Sequence, residues 1–327
     1  MSSRAGSVLA LTLVLAVSAA CSNSTSGLGA RPATPGLTHA TTPSRVPAQS
    51  PASAPCSGTP TPPAGQRLVI WIFMENKESA SIVGSRNAPY INTLATECGL
   101  ATNYQAVTHP SLPNYLAATG GSTAGVHSDC SPGDCPVRGR SIFQQLQDAG
   151  QSWRSYEESM PSNCAQSSTD GYATKHNPAA YYTAIRERCR QWDVPLGSPQ
   201  TGPLATALRD GTLPAFSFVT PNICHDMHDC SVSTGDRWLR EWIPLITGTP
   251  DYRSGRTVVF LTWDEAEGGS DSNHVACLVL AASVPMGLRV GDDFGHYSLL
   301  RTTEELLSLP LLGKAASARS MRAAFHL

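Results

Sequence analysis

The sequence predicts an α/β fold with a largely parallel central sheet and helices on both faces. Three observations carry this. Arg67–Met74 (RLVIWIFM) and Arg256–Trp263 (RTVVFLTW) are near-continuous apolar runs of strand length, the pattern of strands buried on both faces. Segments of helical spacing lie between the apolar runs, the alternation expected of a helix-covered sheet. Hydrophobic residues make up 41% of the 327-residue chain, enough for the core of one large domain or two small ones.

In chain order, the first feature is an apolar run from Val8 to Val17, preceded by Arg4 and followed by Ser-Ala-Ala-Cys at 18–21. The run is too short to span a bilayer and has the layout of a secretory leader. Small residues before Cys21 and a polar stretch after it resemble a bacterial lipoprotein signal, with Cys21 lipidated as the new N-terminus. Ser18 stands where Leu or Val is usual, so simple cleavage near Ala19 or Ala20 is the alternative. Residues 22–65 are rich in Ser, Thr, Pro, Ala and Gly. Such a segment cannot bury enough surface to offset its ordering entropy and reads as a disordered tether. The expected organisation is therefore a signal segment over 1–21, a tether over 22–65 and a folded domain over 66–327. The protein is expected to be exported, either as a surface lipoprotein held at the membrane through Cys21 or in secreted form.

Within the domain, helices are expected at Ala88–Cys98, from Pro113 onward, and at Ser141–Ala149. Phe216–Thr220 is a short strand. Asp236–Ile246 places Trp238, Leu239, Trp242 and Ile243 at helical spacing, Val275–Ala281 is a third apolar strand, and Tyr297–Leu309 a closing helix. Setting Cys21 aside, nine cysteines remain. Export permits disulfides. Cys130–Cys135 and Cys224–Cys230 are plausible local staples and Cys164–Cys189 a longer one, while the odd number leaves one thiol over. No Cys-x-x-Cys pair supports a zinc ribbon. The formal charge of −2 gives no basic field for nucleic acid. Composition sets no oligomeric state; a tethered domain can work at a membrane surface as a monomer.

The chemistry concentrates in Thr108-His-Pro-Ser-Leu-Pro-Asn-Tyr115. Pro110 and Pro113 restrict the backbone and disfavour helix at Ser111 itself. That places Ser111 at or just before a helix N-terminus, where free N–H groups favour an anion such as phosphate. The competing reading is a Pro-rich turn with a capping serine. Two apolar strands run directly into polar pairs, Glu75-Asn76 and Asp264-Glu265. Ligands of parallel sheets bind beyond the carboxyl ends of strands, and hard cations take carboxylate and amide oxygens. His225 and His228 lie in a loop with two aspartates, able to supply metal ligands or oxyanion donors. His274 precedes the third strand, His296 the last helix, and His176 sits in Lys175-His-Asn-Pro178.

Glu75-Asn76, Ser111-Leu-Pro-Asn114, Asp226-Met-His-Asp229, Thr262-Trp-Asp-Glu265 and Gly295-His-Tyr297, in this order over residues 67–310, resemble the bacterial phosphoesterase family of secreted acid phosphatases and phospholipases C, within the alkaline phosphatase superfamily. The resemblance implies an alkaline-phosphatase-like core. It implies that Ser111 is the nucleophile, with Thr108 as fallback, that Asn114 contacts the phosphoryl group and that His228 assists the phosphoryl oxygens or the leaving group. It assigns Glu75, Asn76, Asp264, Glu265 and His296 to a divalent metal of the calcium, magnesium, manganese or zinc kind. His274 resembles the Asp-His-Val histidine of the phospholipase branch, although Asn273 replaces the Asp. Sulfatases of the superfamily carry Arg four residues after the nucleophile, where this chain has Tyr115. The expected activity is metal-dependent hydrolysis of a phosphomonoester through a phosphoseryl intermediate. A phospholipase C-like diesterase and a non-catalytic, ligand-binding surface lipoprotein are the alternatives.

Overall fold

The computed structural model describes residues 54–59, 67–267 and 272–327. The expected leader, Cys21 and the tether up to residue 53 lie outside the described residues. Among the described residues there are ten strands: β1 Leu68–Met74, β2 Gly99–Ala101, β3 Tyr104–Gln105, β4 Trp153–Glu157, β5 Asp193–Pro195, β6 Phe216–Thr220, β7 Thr257–Trp263, β8 Cys277–Leu280, β9 Arg289–Val290 and β10 Phe294–Gly295. Eight form one sheet in the order β5-β4-β6-β1-β7-β8-β2-β9, and β10 pairs with β3. From β5 to β7 every pairing is parallel; β8 runs antiparallel to both neighbours. The sheet is thus largely parallel, with its exceptions on one side.

β1 and β7 are central and every residue of each is buried, so both faces are covered. On one face Trp71 and Phe73 meet Phe216, Phe218 and Tyr115, and Trp71 Nε1 donates to Thr303 Oγ1 at 2.9 Å. This ties the sheet to the helix pair Ser111–Gly120 and His296–Leu306. A second group packs Pro89–Glu97 against Val232–Thr247, which also meets Pro203–Asp210. Asp236 fixes that contact by accepting the Ile91 N–H at 2.8 Å. Among the described residues, no helix is long and apolar enough to cross a membrane.

Several boundaries differ from expectation for physical reasons. The helix expected from Pro113 begins at Ser111, with Pro110 as its N-cap. Pro113 falls in the first turn, where its missing N–H would have had no partner within the helix. Ser141 caps its helix by accepting the Gln144 N–H at 3.3 Å. All three anticipated disulfides are formed, together with Cys56–Cys98; among the described residues Cys277 is the free thiol, and it is buried. The fourth bond starts upstream of the expected domain start at residue 66. Cys56 is fully buried, and the Ser57, Gly58 and Thr59 N–H groups donate to Ala282 and Val284 carbonyls, so residues 54–59 belong to the fold.

Away from the sheet centre, β4 and β5 bring Glu157 and Asp193 into a buried acidic pair. Burial raises both carboxyls, Glu157 well above its usual range with a further push from Asp193, and Asp193 from 3.8 to about 7. Asp193 Oδ2 accepts from Asn177 Nδ2 at 2.8 Å, anchoring the segment that carries His176.

Candidate active site

The centre is assembled at the carboxyl ends of the parallel strands. β1 and β7 pair in register to their last residues, Met74 opposite Trp263. The next residues, Glu75-Asn76 and Asp264-Glu265, therefore emerge side by side. Asp264 N–H donates to Met74 O at 3.0 Å, and Asn76 N–H to Asp264 Oδ1 at 3.0 Å. Asn76 leaves the strand with φ 45, a left-handed conformation that Asn tolerates better than most residues.

β6, on the other side of β1, leads into the loop closed by Cys224–Cys230. There the Asp226 carbonyl accepts the Glu75 N–H at 2.8 Å, and Asp226 Oδ1 accepts the His228 N–H at 2.7 Å. The turn passes through buried Met227 at φ 84. It packs so closely on Gly235 that a Cβ there would lie 2.5 Å from Met227 Cε and 2.7 Å from His225 O.

Ser111, the first residue of its helix, is buried and aims Oγ at Glu75 Oε2 (3.1 Å) and Glu265 Oε1 (3.4 Å). One helical turn on, the Tyr115 hydroxyl donates to Glu75 Oε1. The His176 ring stacks on Tyr115, with centroids 5.6 Å apart and planes 11° from parallel. Its Nε2 lies 3.2 Å from Glu75 Oε2 and its Nδ1 3.3 Å from Asp226 Oδ2. Asp129 Oδ1 accepts the Leu112 N–H at 3.0 Å, and Asp129 Oδ2 accepts from Lys175 Nζ at 2.9 Å. His109 Nδ1 sits 2.7 Å from Glu265 Oε2.

Four carboxylates thus crowd one buried volume. Burial, then Asp264 and Asp226, push Glu75 well above its ordinary range. Burial raises Asp226 strongly and Asp264 to about 6. Burial and then Asp264 raise Glu265 to about 8. Such values mark a centre short of positive charge. Asp264 Oδ2, Asp226 Oδ2 and His176 Nε2 are buried without an aligned hydrogen-bond partner. The Asn76 amide faces Glu75 Oε2, Glu265 Oε1 and Asp264 Oδ1 at 3.2–3.3 Å. With its nitrogen inward it donates to them; with its oxygen inward the group becomes an all-oxygen cage of the sort hard cations fill. Glu75, His176 and His228 form an adjoining group whose ligand atoms lie within 4.8 Å of one another. The residues present fit a divalent cation, and because Glu75 belongs to both sets the donors alone do not choose between an oxygen-loving metal and zinc.

The structure brings Glu75, Asn76, Ser111, Asp264, Glu265 and His228 together as the sequence anticipated. Two expected residues are bonded within the fold. Both His296 nitrogens are occupied, Nδ1 by the Tyr104 hydroxyl at 3.1 Å and Nε2 by the Asp264 carbonyl at 2.6 Å. Burial also lowers its pKa to about 4. It is a neutral ring that pins the end of β7, with no lone pair left for a metal. The Asn114 amide is similarly engaged: Oδ1 accepts from Val107 and Thr108 N–H, and Nδ2 donates to Thr108 and Pro110 carbonyls. It shapes the loop before Ser111, touching the cluster only at Glu265 Oε2, 3.3 Å away.

Three weaker candidates stay outside. Thr108 Oγ1 donates to His109 O, so Thr108 contributes its backbone alone. His225 pairs with Glu158 at 2.8 Å, and His274 Nε2 lies against Thr102 O at 3.1 Å. His176 moves instead to the centre. Asp226, Tyr115, Asp129, Lys175 and His109 are additions. Tyr115 was accessible from its i+4 spacing to Ser111, and His109 and Asp226 from the motifs that contain them; Asp129 and Lys175 reach the centre along loop paths with no local signal.

An acidic, hydroxyl-bearing centre of this kind, at the mouth of a mostly parallel sheet, has chemistry suited to phosphate esters: it sets a serine hydroxyl beside donors that would hold a cation against the phosphoryl charge. Comparison with known proteins defines the same class, a hydrolase of phosphate esters with an alkaline phosphatase superfamily fold. The profile of the Phosphoesterase family matches residues 71–310, and the chain belongs to that family. It is 31% identical over 254 residues to a phosphatidylinositol-3-phosphatase of Mycobacterium tuberculosis, covering 76% of this chain and 80% of that one. It is 30% identical to an acid phosphatase of Aspergillus fumigatus, covering 74% of this chain and 55% of the relative. The chain thus spans little more than half the length of such fungal relatives. In fold it resembles an alkaline phosphatase superfamily protein of Vibrio parahaemolyticus, with TM-score 0.56, 13% identity and coverage of 83% and 74%. It also resembles the lipoteichoic acid synthase LtaP of Listeria monocytogenes, with TM-score 0.53, 11% identity and coverage of 76% and 73%.

Proposed function

We propose that this protein is a metal-dependent phosphomonoesterase of the acid phosphatase type that works through a phosphoseryl intermediate outside the cytoplasm. The observation that carries the reading is Ser111 Oγ, buried at a helix start and hydrogen-bonded to Glu75 and Glu265. Glu75, Asn76, Asp264 and Glu265 would hold a divalent cation, whose positive charge would favour the serine alkoxide and offset the phosphoryl oxygens. Ser111 passes its proton to Glu75 Oε2 and forms a bond to phosphorus while the ester P–O bond opposite breaks. The departing oxygen takes a proton from His228, whose Nδ1 is held 2.6 Å from Asp229 Oδ1. Water then attacks phosphorus and gives a proton back to His228 while the P–Oγ bond breaks; Ser111 Oγ regains its proton from Glu75, and inorganic phosphate leaves. The names of the relatives support monoester substrates, and the four disulfides together with the leader-like N-terminus support export.

The test is hydrolysis of 4-nitrophenyl phosphate by the purified chain, with metal supplied and then chelated. Acid-quenched samples are searched by mass spectrometry for phosphate on Ser111. Activity that survives thorough chelation, or a phosphate found on another residue, refutes the mechanism.

A further inference from the structure

Lys175 carries a charge that the mechanism above leaves unused. It precedes His176, and its ammonium is fixed from two sides: Nζ lies 2.9 Å from Asp129 Oδ2 and 3.4 Å from His228 Nε2. The carboxylate contact engages one of its three N–H bonds. The side chain is 25% exposed, open enough to meet a ligand. Asp129 is anchored in turn, because its other oxygen takes the Leu112 N–H at 3.0 Å. The ammonium is therefore tied through one carboxylate to the first turn of the Ser111 helix. The same ion pair forms part of the wall of a cavity of about 290 Å³, which Ser131, Gln166, Ser168 and Tyr181 also line. Lys175 thus touches His228 on one side and lines, on another, a space of a size to take the alcohol of an ester. Its charge acts on Glu75, Asp226, Asp264 and Glu265 alike.

We infer that Lys175, held by Asp129, is the residue that selects doubly charged phosphomonoesters over singly charged diesters. The inference rests on the phosphoesterase reading and names its substrate class. A cation and a helix N-terminus serve any phosphoryl group, but a centre walled by carboxylates repels the second negative charge of a monoester more than the single charge of a diester. Coulomb attraction scales with the product of the charges. At equal distance an ammonium therefore contributes twice as much free energy to the dianion, and a loss of factor f on a diester becomes f² on a monoester. A charged hydrogen bond to phosphate accounts for a factor on the order of 10 to 100.

The experiment compares 4-nitrophenyl phosphate with bis(4-nitrophenyl) phosphate, which release the same phenolate, above ~pH 6, where phosphate monoesters are largely dianionic. Wild type, Lys175→Met and Lys175→Arg are supplied with the same divalent metal. Folding is checked by melting temperature and by bound metal. In Lys175→Met the monoester kcat/KM should fall about 100-fold and the monoester-to-diester ratio about tenfold, with Lys175→Arg recovering most of the ratio. Inorganic phosphate, titrated while thermal protection of the fold is followed, needs no turnover and should bind Lys175→Met about tenfold or more weakly. Equal losses on both esters, an unchanged ratio, or unchanged phosphate protection overturn the proposal. Wild type that hydrolyses neither ester refutes the phosphoesterase mechanism instead, and the phosphate titration then decides the role of Lys175 alone.

Discussion

Replacing Asp193 by Asn should make the protein more stable at neutral pH and change little in acid. Asp193 is fully buried beside Glu157, and its carboxyl is raised from 3.8 to about 7. An acid that holds its proton more tightly in the folded than in the unfolded chain favours folding below the unfolded value. That contribution is lost as pH rises through the folded value. The window runs from 3.8 to about 7, and across it the difference amounts to at most ~4 kcal/mol. Sharing of the proton with Glu157 lowers this, and about 2 kcal/mol is a conservative figure. Asn keeps the shape and an acceptor for the Asn177 amide that lies 2.8 Å away, but never ionises. Thermal unfolding of wild type and Asp193→Asn, in matched buffers from ~pH 4 to ~pH 7.5, reads the effect. At ~2–4 °C per kcal/mol for a domain of this size, the advantage of Asp193→Asn should widen by roughly 4 °C or more over that range. A difference in melting temperature that stays flat with pH would show that Asp193 is not the buried acid described here.

Ser111→Ala should abolish turnover of a phosphomonoester while leaving melting temperature and bound metal near wild type, as read by steady-state kinetics and metal analysis; near-normal rates would exclude Ser111 as nucleophile. Tyr115→Phe removes a buried hydrogen bond to Glu75 and should weaken metal binding about tenfold, at a cost of ~1–3 kcal/mol, measured by competition with a chelating dye. Gly235→Ala forces a methyl onto Met227 and His225; it should cost ~1–3 kcal/mol and lower kcat by displacing the Asp226–His228 turn, whereas unchanged kcat would mean that the turn has no part in catalysis.

How far this was legible in the sequence depends on how local each signal is. β1 and β7 could be read because a strand buried on both faces is apolar throughout, and their polar exits could be read because parallel strands deliver residues to one edge. β4 (WRSYE) hides its direction and burial behind Arg154 and Glu157, and the two- and three-residue strands exist only through their neighbours. Asn114 and His296 were recognised as important, yet their roles turn on which atoms saturate them. An amide bonded to a loop and a ring bonded to a carbonyl have the same sequence as a phosphate contact and a metal ligand. His176, Lys175 and Asp129 reach the centre through long loops whose course no local pattern encodes.

The Cys56–Cys98 bond has a mechanical consequence. β1 is the central strand, and its end carries Glu75 and Asn76. In a chain loaded from upstream of Ala54, tension would otherwise rest on the Ser57–Thr59 hydrogen bonds and then reach Leu68, pulling β1 along its axis. The bond between Cys56 and Cys98 offers a shorter covalent route, into the residue that closes helix Pro89–Glu97. Force entering at Ala54 is thereby led past the strand that ends in Glu75 and Asn76.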